Sequence, residues 1–487
     1  MDFSSEQNAR IAGVMTGMAA GDALGAGYEF HSPMEPTEPV GMIGGGLGPF
    51  APGEWTDDTS MAISIAQALI RSGSELTDAA CDDMVRQWAE WDLTASDVGA
   101  QTRSVLERSR RRAAAEHRPE VNSADAVVAA EETHRRAGKS GGNGSLMRTS
   151  PVALAFLDRT PEEAYAAAVR ISGLTHFDPE AGEACGLWTV AIRHAVLSGE
   201  LDIRAGLELL PPERSAAWLE RIETAEASLP RDFDRNGWVV QAFQGAWSAI
   251  AATAADGAVG PGHFKAALEA AVRGGRDTDT VAAIAGSLLG AAYGVPAIPN
   301  EWFRLLHGWP GLRARDLIGL TMKLALRSGR EDTWPAVAHV DYSEWPGAED
   351  GAVVPHPDDD GVLLGPVGAL ATAEYDAVVS LCRVGSEQAR VAAPNDHAEF
   401  WLVDGHENLY TEFTLNDAAE TIRQLRADGK RVLLHCVRME SRTPTVAALY
   451  GSLVTGSTPL EALERIRKVL PKAAPNSTFQ QALGTQT

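Results

Sequence analysis

The chain has 487 residues, a mass of 51.7 kDa, 45% apolar residues and a formal net charge of -24. That length predicts two domains rather than one, and the apolar content excludes global disorder. So negative a molecule repels long nucleic acid and anionic membranes, while free nucleotides and small phosphorylated ligands stay open as partners. Cys81, Cys185, Cys382 and Cys436 have no short paired spacing, which argues against a disulfide framework or a zinc knuckle and fits a reducing cytoplasm.

In chain order, the apolar stretch 11–27 is Gly-rich and broken by Asp22, so it predicts a packed helix and not a signal or membrane span. Ala-rich helical patterns recur at 61–71, 79–92, 124–137, 161–171, 181–197, 238–254, 264–272 and 280–293. Glycine-rich connections stand at 41–53, 141–144 and 274–275. An all-α domain is expected over residues 1–330. After it, Pro335, Pro346, Pro355 and Pro357 with the run Asp358 to Asp360 predict an irregular entry segment. Strand-like runs at 361–364, 377–381, 400–403 and 431–434 then alternate with helix patterns at 415–428, 443–453 and 459–470. That alternation predicts an α/β domain over 331–487, with a loose polar tail after Pro471. No internal repeat is visible.

Trp55-Thr56-Asp57-Asp58-Thr59 and Arg276-Asp277-Thr278-Asp279-Thr280 each stand just before an apolar helix. Capping explains either segment taken alone. Together they offer the carboxylate and hydroxyl oxygens that hard ions such as magnesium or manganese take, and no His/Cys cluster competes for zinc or iron.

With Gly21-Asp22-Ala23-Leu24-Gly25 and Glu29, Asn143-Gly144-Ser145-Leu146-Met147-Arg148, and Thr175-His176, these segments follow one family order. Over about residues 8–325 the chain resembles the ADP-ribosylglycohydrolases of the dinitrogenase-reductase-activating type. The resemblance implies a helical enzyme with two magnesium ions, manganese being a possible substitute. Its expected reaction is release of ADP-ribose from a modified protein side chain, arginine most commonly, or from an ADP-ribose-containing small molecule. It assigns Thr56, Asp57, Asp58, Asp277, Asp279 and Thr280 to the metal, and Glu29 to acid-base or gating work. Asn143, Gly144 and Ser145 fall to the ribose and phosphates, and His176 to the adenosine side or the ribose. Other readings stand beside these: a cap for Asp22, an Asx turn for Asn143, a loop or cap histidine for His176, and for Arg148 a structural acid as readily as a substrate.

The densest cluster is His435-Cys436-Val437-Arg438-Met439-Glu440-Ser441-Arg442-Thr443, straight after Val432-Leu433-Leu434. A cysteine with an arginine six positions on, between a strand and a helix, predicts a loop that cradles a phosphate and activates a thiolate. Over about residues 340–475 this resembles the dual-specificity and related cysteine phosphatases. The resemblance makes Cys436 the nucleophile, Arg442 the phosphate clamp, Thr443 the hydroxyl that eases thiolate departure, and His435 the residue orienting the loop. Asp404 is the expected general acid, with Glu407 and Asp417 as weaker substitutes, and a phosphorylated compound is the expected substrate. Met439 stands where the family usually has glycine, so a positive φ there would be strained. Cys382 is expected in the core.

Overall fold

The computed structural model describes residues 3–327 and 334–484. Contacts divide the chain into two compact units, Met1–Ile298 with Leu306–Gly329, and Pro299–Leu305 with Arg330–Thr487.

The first unit is built around the Ser5–Gly25 helix, opened by a capping box between Ser4 and Gln7. Every residue from Ile11 to Gly25 is buried, so the helix is central and has no wet face. Gly13, Gly17, Gly21 and Gly25 recur every fourth position and meet the Thr278–Tyr293 helix backbone to backbone. A Cβ on Gly13, Gly17 or Gly21 would lie 2.3, 2.4 or 2.0 Å from the carbonyl oxygen of Gly290, Gly286 or Ala282. One on Gly25 would lie 2.4 Å from the Cα of Asp279. Only a residue without Cβ permits that approach, and it brings Asp22 and Asp279 into one buried site.

Further helices surround this pair, among them Asp57–Arg71, Asp78–Trp91, Ser123–Ala137, Pro179–Ser198 and Val239–Ala255. Four α-helices of this unit have no counterpart in the sequence patterns: Ala100–Ala115, Ser150–Ala155, Pro212–Glu226 and Ala314–Leu326. Ala100–Ala115 is rich in arginine and buries only Thr102, Val105, Leu106, Ser109 and Ala113, an inward stripe too short in large apolar residues to stand out. A short antiparallel ladder joins β1 (His307–Gly308) to β2 (Leu312–Arg313).

The second unit is α/β, as expected. Its sheet comprises β3 (Val354–His356), β4 (Asp359–Pro366), β5 (Ala377–Ser380), β6 (His397–Glu399) and β7 (Val432–Cys436), in the order β3-β4-β7-β5-β6. Only the β3–β4 pair is antiparallel. Central β7 is buried at all five positions, as a parallel strand covered on both faces should be. Its alternate residues feed two cores: Val432, Leu434 and Cys436 point into one, Leu433 into the other.

Three expectations are corrected here. The proline-rich and acidic entry is partly a hairpin: Val354 pairs with Leu364 and Pro355 with Leu363, with Pro355 on an edge strand that tolerates it. The strand expected at 400–403 is instead His397–Glu399. Phe400 still donates to Ser380 O, but the Leu402 N–H turns back onto Phe400 O at 2.9 Å and ends the strand. Burial of Phe400 and Leu402 mimics strand alternation. The tail is ordered through the Ser477–Gly484 helix, whose Phe479 and Leu483 complete the core. Among the described residues no helix is long and apolar enough to cross a membrane.

Candidate active sites

Thr56 and Asp277 are the N-cap residues of the Asp57–Arg71 and Thr278–Tyr293 helices, yet neither side chain caps its helix. Capping therefore does not explain them. Thr56 Oγ1 lies 2.9 Å from Asp22 Oδ1, 3.2 Å from Asp58 Oδ2 and 3.4 Å from Asp279 Oδ2. One hydroxyl proton cannot serve three carboxylate oxygens. Asp58 Oδ1 is buried with no hydrogen-bond partner among the described residues. Acceptors that converge with too few donors fit a bound cation. Two acidic clusters could hold divalent ions, Asp22 with Asp58 and Asp279, and Glu29 with Asp277 and Asp279, each with its oxygens within 4.8 Å of one another. Asp279 belongs to both.

Asp22 also has a second task. The backbone N–H and hydroxyl of Thr56 both reach its Oδ1 at 2.9 Å, and those of Thr59 reach Oδ2 at 3.0 and 2.6 Å. It thereby fixes the start of the Asp57–Arg71 helix. Asp57 accepts from Gly99 N at 3.1 Å, and Thr280 N donates to Asp279 Oδ1 at 2.9 Å. The Thr280 hydroxyl faces Met147 Sδ at 3.9 Å.

Burial, then repulsion from Asp277, Asp97 and Asp57, pushes Glu29 up to about 8. Burial, then Asp97, pushes Asp57 up to about 8. Asp58 and Asp279 are held well above the usual carboxylate range by burial and their acidic neighbours. Asp97, itself raised by burial, thus belongs to this acidic group, although no motif marks it in the sequence.

The remaining expected binding residues fall less simply. The Asn143 amide donates to Asp277 Oδ2 at 2.8 Å and to Asn236 O at 2.9 Å, so it faces the carboxylates instead of lying open to a ribose. Ser145 Oγ is engaged inside the unit by Ser172 at 2.9 Å and Cys185 at 3.4 Å. His176 is buried beside Gly142 and Gly144, where an added Cβ would come within 3.4 and 3.3 Å of its ring. Its Nδ1 pairs with Thr175 Oγ1 at 2.8 Å, and burial pushes the ring down to about 3, so it is neutral. It buttresses the glycine loop. Arg148 meets neither an acid nor open solvent: it donates to Thr175 Oγ1 at 2.6 Å and stacks 4.1 Å over Trp88.

In the second unit the strand continues through Cys436 and the next helix starts at Arg442, so the intervening loop is 437–441. Met439 N donates to Cys436 Sγ at 3.3 Å. Arg442 Nη1 is anchored by Leu381 O at 3.1 Å and Leu402 O at 2.7 Å. Its buried Nε has no partner among the described residues, nor does Thr443 Oγ1. An orphaned guanidinium N–H at the start of the helix that follows the cysteine loop suits an oxyanion. Asp404 Oδ1 accepts from Ser441 Oγ at 2.6 Å and Asn476 Nδ2 at 2.8 Å, which holds it against the loop. Asp417, by contrast, lies on the Thr411–Ala427 helix and accepts from Asn300 N. His435 Nε2 pairs with Ser380 Oγ at 2.7 Å and is pushed down to about 3, chiefly by burial. Met439 has φ +61°, the strained case anticipated. Arg438 pairs with Glu440 at 2.8 Å, which offsets the acid's charge at the lip. Cys382 is buried in the core.

A family model described as ADP-ribosylglycohydrolase matches residues 4–333. The chain belongs to the ADP-ribosylglycohydrolase family. It is 30% identical over 300 residues to the ADP-ribosylarginine hydrolase Tri1 of Pseudomonas putida (strain GB-1), covering 60% of this chain and 73% of that protein. The solved structure of an ADP-ribosylglycohydrolase-related protein complex is 30% identical with a TM-score of 0.50, covering 66% of this chain and 99% of its own. Over 108 residues the chain is also 30% identical to the dual specificity protein phosphatase PHS1 of Arabidopsis thaliana, which covers 22% of this chain and 12% of that protein.

The raised carboxylates of the ADP-ribosylglycohydrolase unit give a testable pH dependence. Without metal, Glu29 and Asp57 keep protons up to about pH 8 in the folded chain, whereas unfolded carboxyls lose theirs near pH ~4. The native state then binds more protons between those limits, so metal-free stability falls as pH rises through that window. Calorimetry in chelator should show the melting temperature dropping between about pH 5 and 8, and saturating manganese should flatten the slope. A metal-free melting temperature flat across that range would contradict the shifts.

Proposed function

We propose that the ADP-ribosylglycohydrolase unit is a magnesium-dependent hydrolase that removes ADP-ribose from modified protein side chains, arginine first among them. The observation that carries this reading is the convergence of buried Asp22, Asp58 and Asp279 with half-buried Glu29 and Asp277, two clusters that share Asp279, with Asp58 Oδ1 unpaired among the described residues. Thr56, Asp57, Asp58, Asp277, Asp279 and Thr280 would hold the ions. Bound there, such ions supply Lewis acidity toward the ribose hydroxyls and a polarised water. The chain's own part is to orient and to move protons. Glu29, raised to about 8, can hold or yield a proton near neutral pH as positive charge builds at the anomeric carbon. The glycine loop around Gly142 and Gly144, braced by His176, would offer its backbone to the diphosphate, the Asn143 N–H being taken by Gly237 O at 3.1 Å. The likeness to the ADP-ribosylarginine hydrolase of Pseudomonas putida supports the arginine linkage.

The second unit is proposed to cleave a phosphomonoester, with Cys436 attacking phosphorus, Arg442 binding the oxyanion and Asp404 protonating the leaving oxygen. Release of free ADP-ribose from an arginine-ADP-ribosylated protein, with and without magnesium, tests the first proposal. Magnesium-dependent release is expected. Binding of ADP-ribose with no release at any magnesium concentration would replace it with a sensor or a different linkage.

A further inference from the structure

Two non-glycine residues in the left-handed region stand directly beside the acidic site. Phe30 (φ +59°) follows Glu29, and Arg276 (φ +67°) precedes Asp277. Their backbones are tied to each other: Phe30 N donates to Arg276 O at 2.5 Å, and Arg276 N donates to His31 O at 2.9 Å. A side chain in that conformation persists only where its surroundings over-determine it, and such outliers concentrate at functional sites.

The group that over-determines Arg276 is Asn236, a buried residue in the connection before the Val239–Ala255 helix. Its Nδ2 donates to Gly275 O at 3.0 Å, and its Oδ1 accepts from Asp277 N at 3.1 Å. The amide thus spans Arg276 and fastens the residue on either side. Its backbone carbonyl accepts from Asn143 Nδ2 at 2.9 Å, and that same amide group donates to Asp277 Oδ2 at 2.8 Å. Asp277 is held at its backbone by Asn236 and at its carboxylate by Asn143. The Phe30–Arg276 clasp carries that placement across to Glu29.

We infer that Asn236 is a positioning residue for the divalent-cation site, setting Asp277 against Glu29 by holding Arg276 in its left-handed conformation. The inference rests on the proposed metal-dependent reading of this site. Asn236 touches neither cation nor substrate and acts through Asp277. Such outer groups that orient ligating side chains govern metal affinity strongly. A purely structural asparagine would affect melting alone.

The test uses the full chain with Asn236→Ala and the milder Asn236→Ser, which keeps a polar group in the pocket should alanine fail to fold. Manganese affinity is read by calorimetry well below the melting temperature, alongside kcat and KM for ADP-ribose release at saturating manganese. Asn236→Ala is expected to weaken manganese binding roughly 10- to 100-fold and to lower kcat with KM near the wild-type value, the serine variant falling between. Wild-type affinity in a folded variant, with or without a lower melting temperature, overturns the inference and leaves the proposed reaction standing. Wild-type protein that binds manganese but releases no ADP-ribose overturns the reaction, and the affinity series then decides the inference alone. Wild-type protein that binds neither magnesium nor manganese overturns both.

Discussion

Asp279→Ala should abolish divalent-cation binding and lower ADP-ribose release by on the order of 10³-fold or more, the scale of losing several kcal/mol of metal-derived stabilisation. Asp279 is the one carboxylate common to both acidic clusters. It sits in the first turn of the Thr278–Tyr293 helix, pressed against Gly25 of the central helix, so no neighbouring acid can move in to replace it. Asp57 belongs to neither tight cluster and already accepts from Gly99 N at 3.1 Å. Asp57→Ala is therefore expected to be the milder loss. Removing Asp279 also removes the cost of burying a carboxyl and, after it, the repulsion from its acidic neighbours, so the metal-free variant should melt no lower than the metal-free wild type. Manganese calorimetry and the release assay, run side by side on both variants, check the ranking. Near-wild-type release by Asp279→Ala would end the shared-carboxylate account.

Why the metal residues are legible in sequence while their supports are not follows from how each is encoded. Thr56, Asp57, Asp58, Asp277, Asp279 and Thr280 lie in two compact segments, each opening an apolar helix. What joins those segments is backbone contact between Gly13, Gly17, Gly21 and Gly25 and the far helix. That fourfold glycine spacing is present in the sequence, but it reads as looseness until a partner helix is known. Asp97 and Asn236 are single polar residues in loops, where polar residues are the rule. Only the fold shows the first raising its acidic neighbours and the second bridging Gly275 and Asp277. Asn143 and Ser145 illustrate the opposite difficulty. A motif fixes which residues belong together, not whether a side chain turns toward ligand or toward the protein, and here both side chains turn inward. In the second unit the strand, loop and helix around Cys436 are local and therefore legible. The contribution of Asn476 to Asp404 comes from the far end of the chain, through a segment whose polarity resembles that of a loose tail.

Cys436→Ser should eliminate hydrolysis of an aryl phosphomonoester by the second unit, by on the order of 10³-fold or more, while inorganic phosphate binding survives. The thiolate is the expected nucleophile, whereas the expected binding groups are the loop N–H groups and Arg442 Nε, which has no partner among the described residues, and the substitution leaves them in place. Met439 is the loop's departure from glycine, and its effect on turnover is expected to be small. Its φ of +61° costs a non-glycine residue about 1–2 kcal/mol, yet the loop has adopted that conformation and Met439 N donates to Cys436 Sγ. The strain is carried by the fold and does not leave the cradle open. Partial burial of the methionine side chain against the core offsets part of it. Met439→Gly would remove the strain and the packing together, so stability should change little and turnover by less than about tenfold, since the net of the two is on the order of 1 kcal/mol. A large rise in turnover with glycine would show that methionine distorts the loop. Phosphate binding with no turnover in either form would make the second unit a recognition module for a phosphorylated ligand, with Cys436 serving only as part of its cradle.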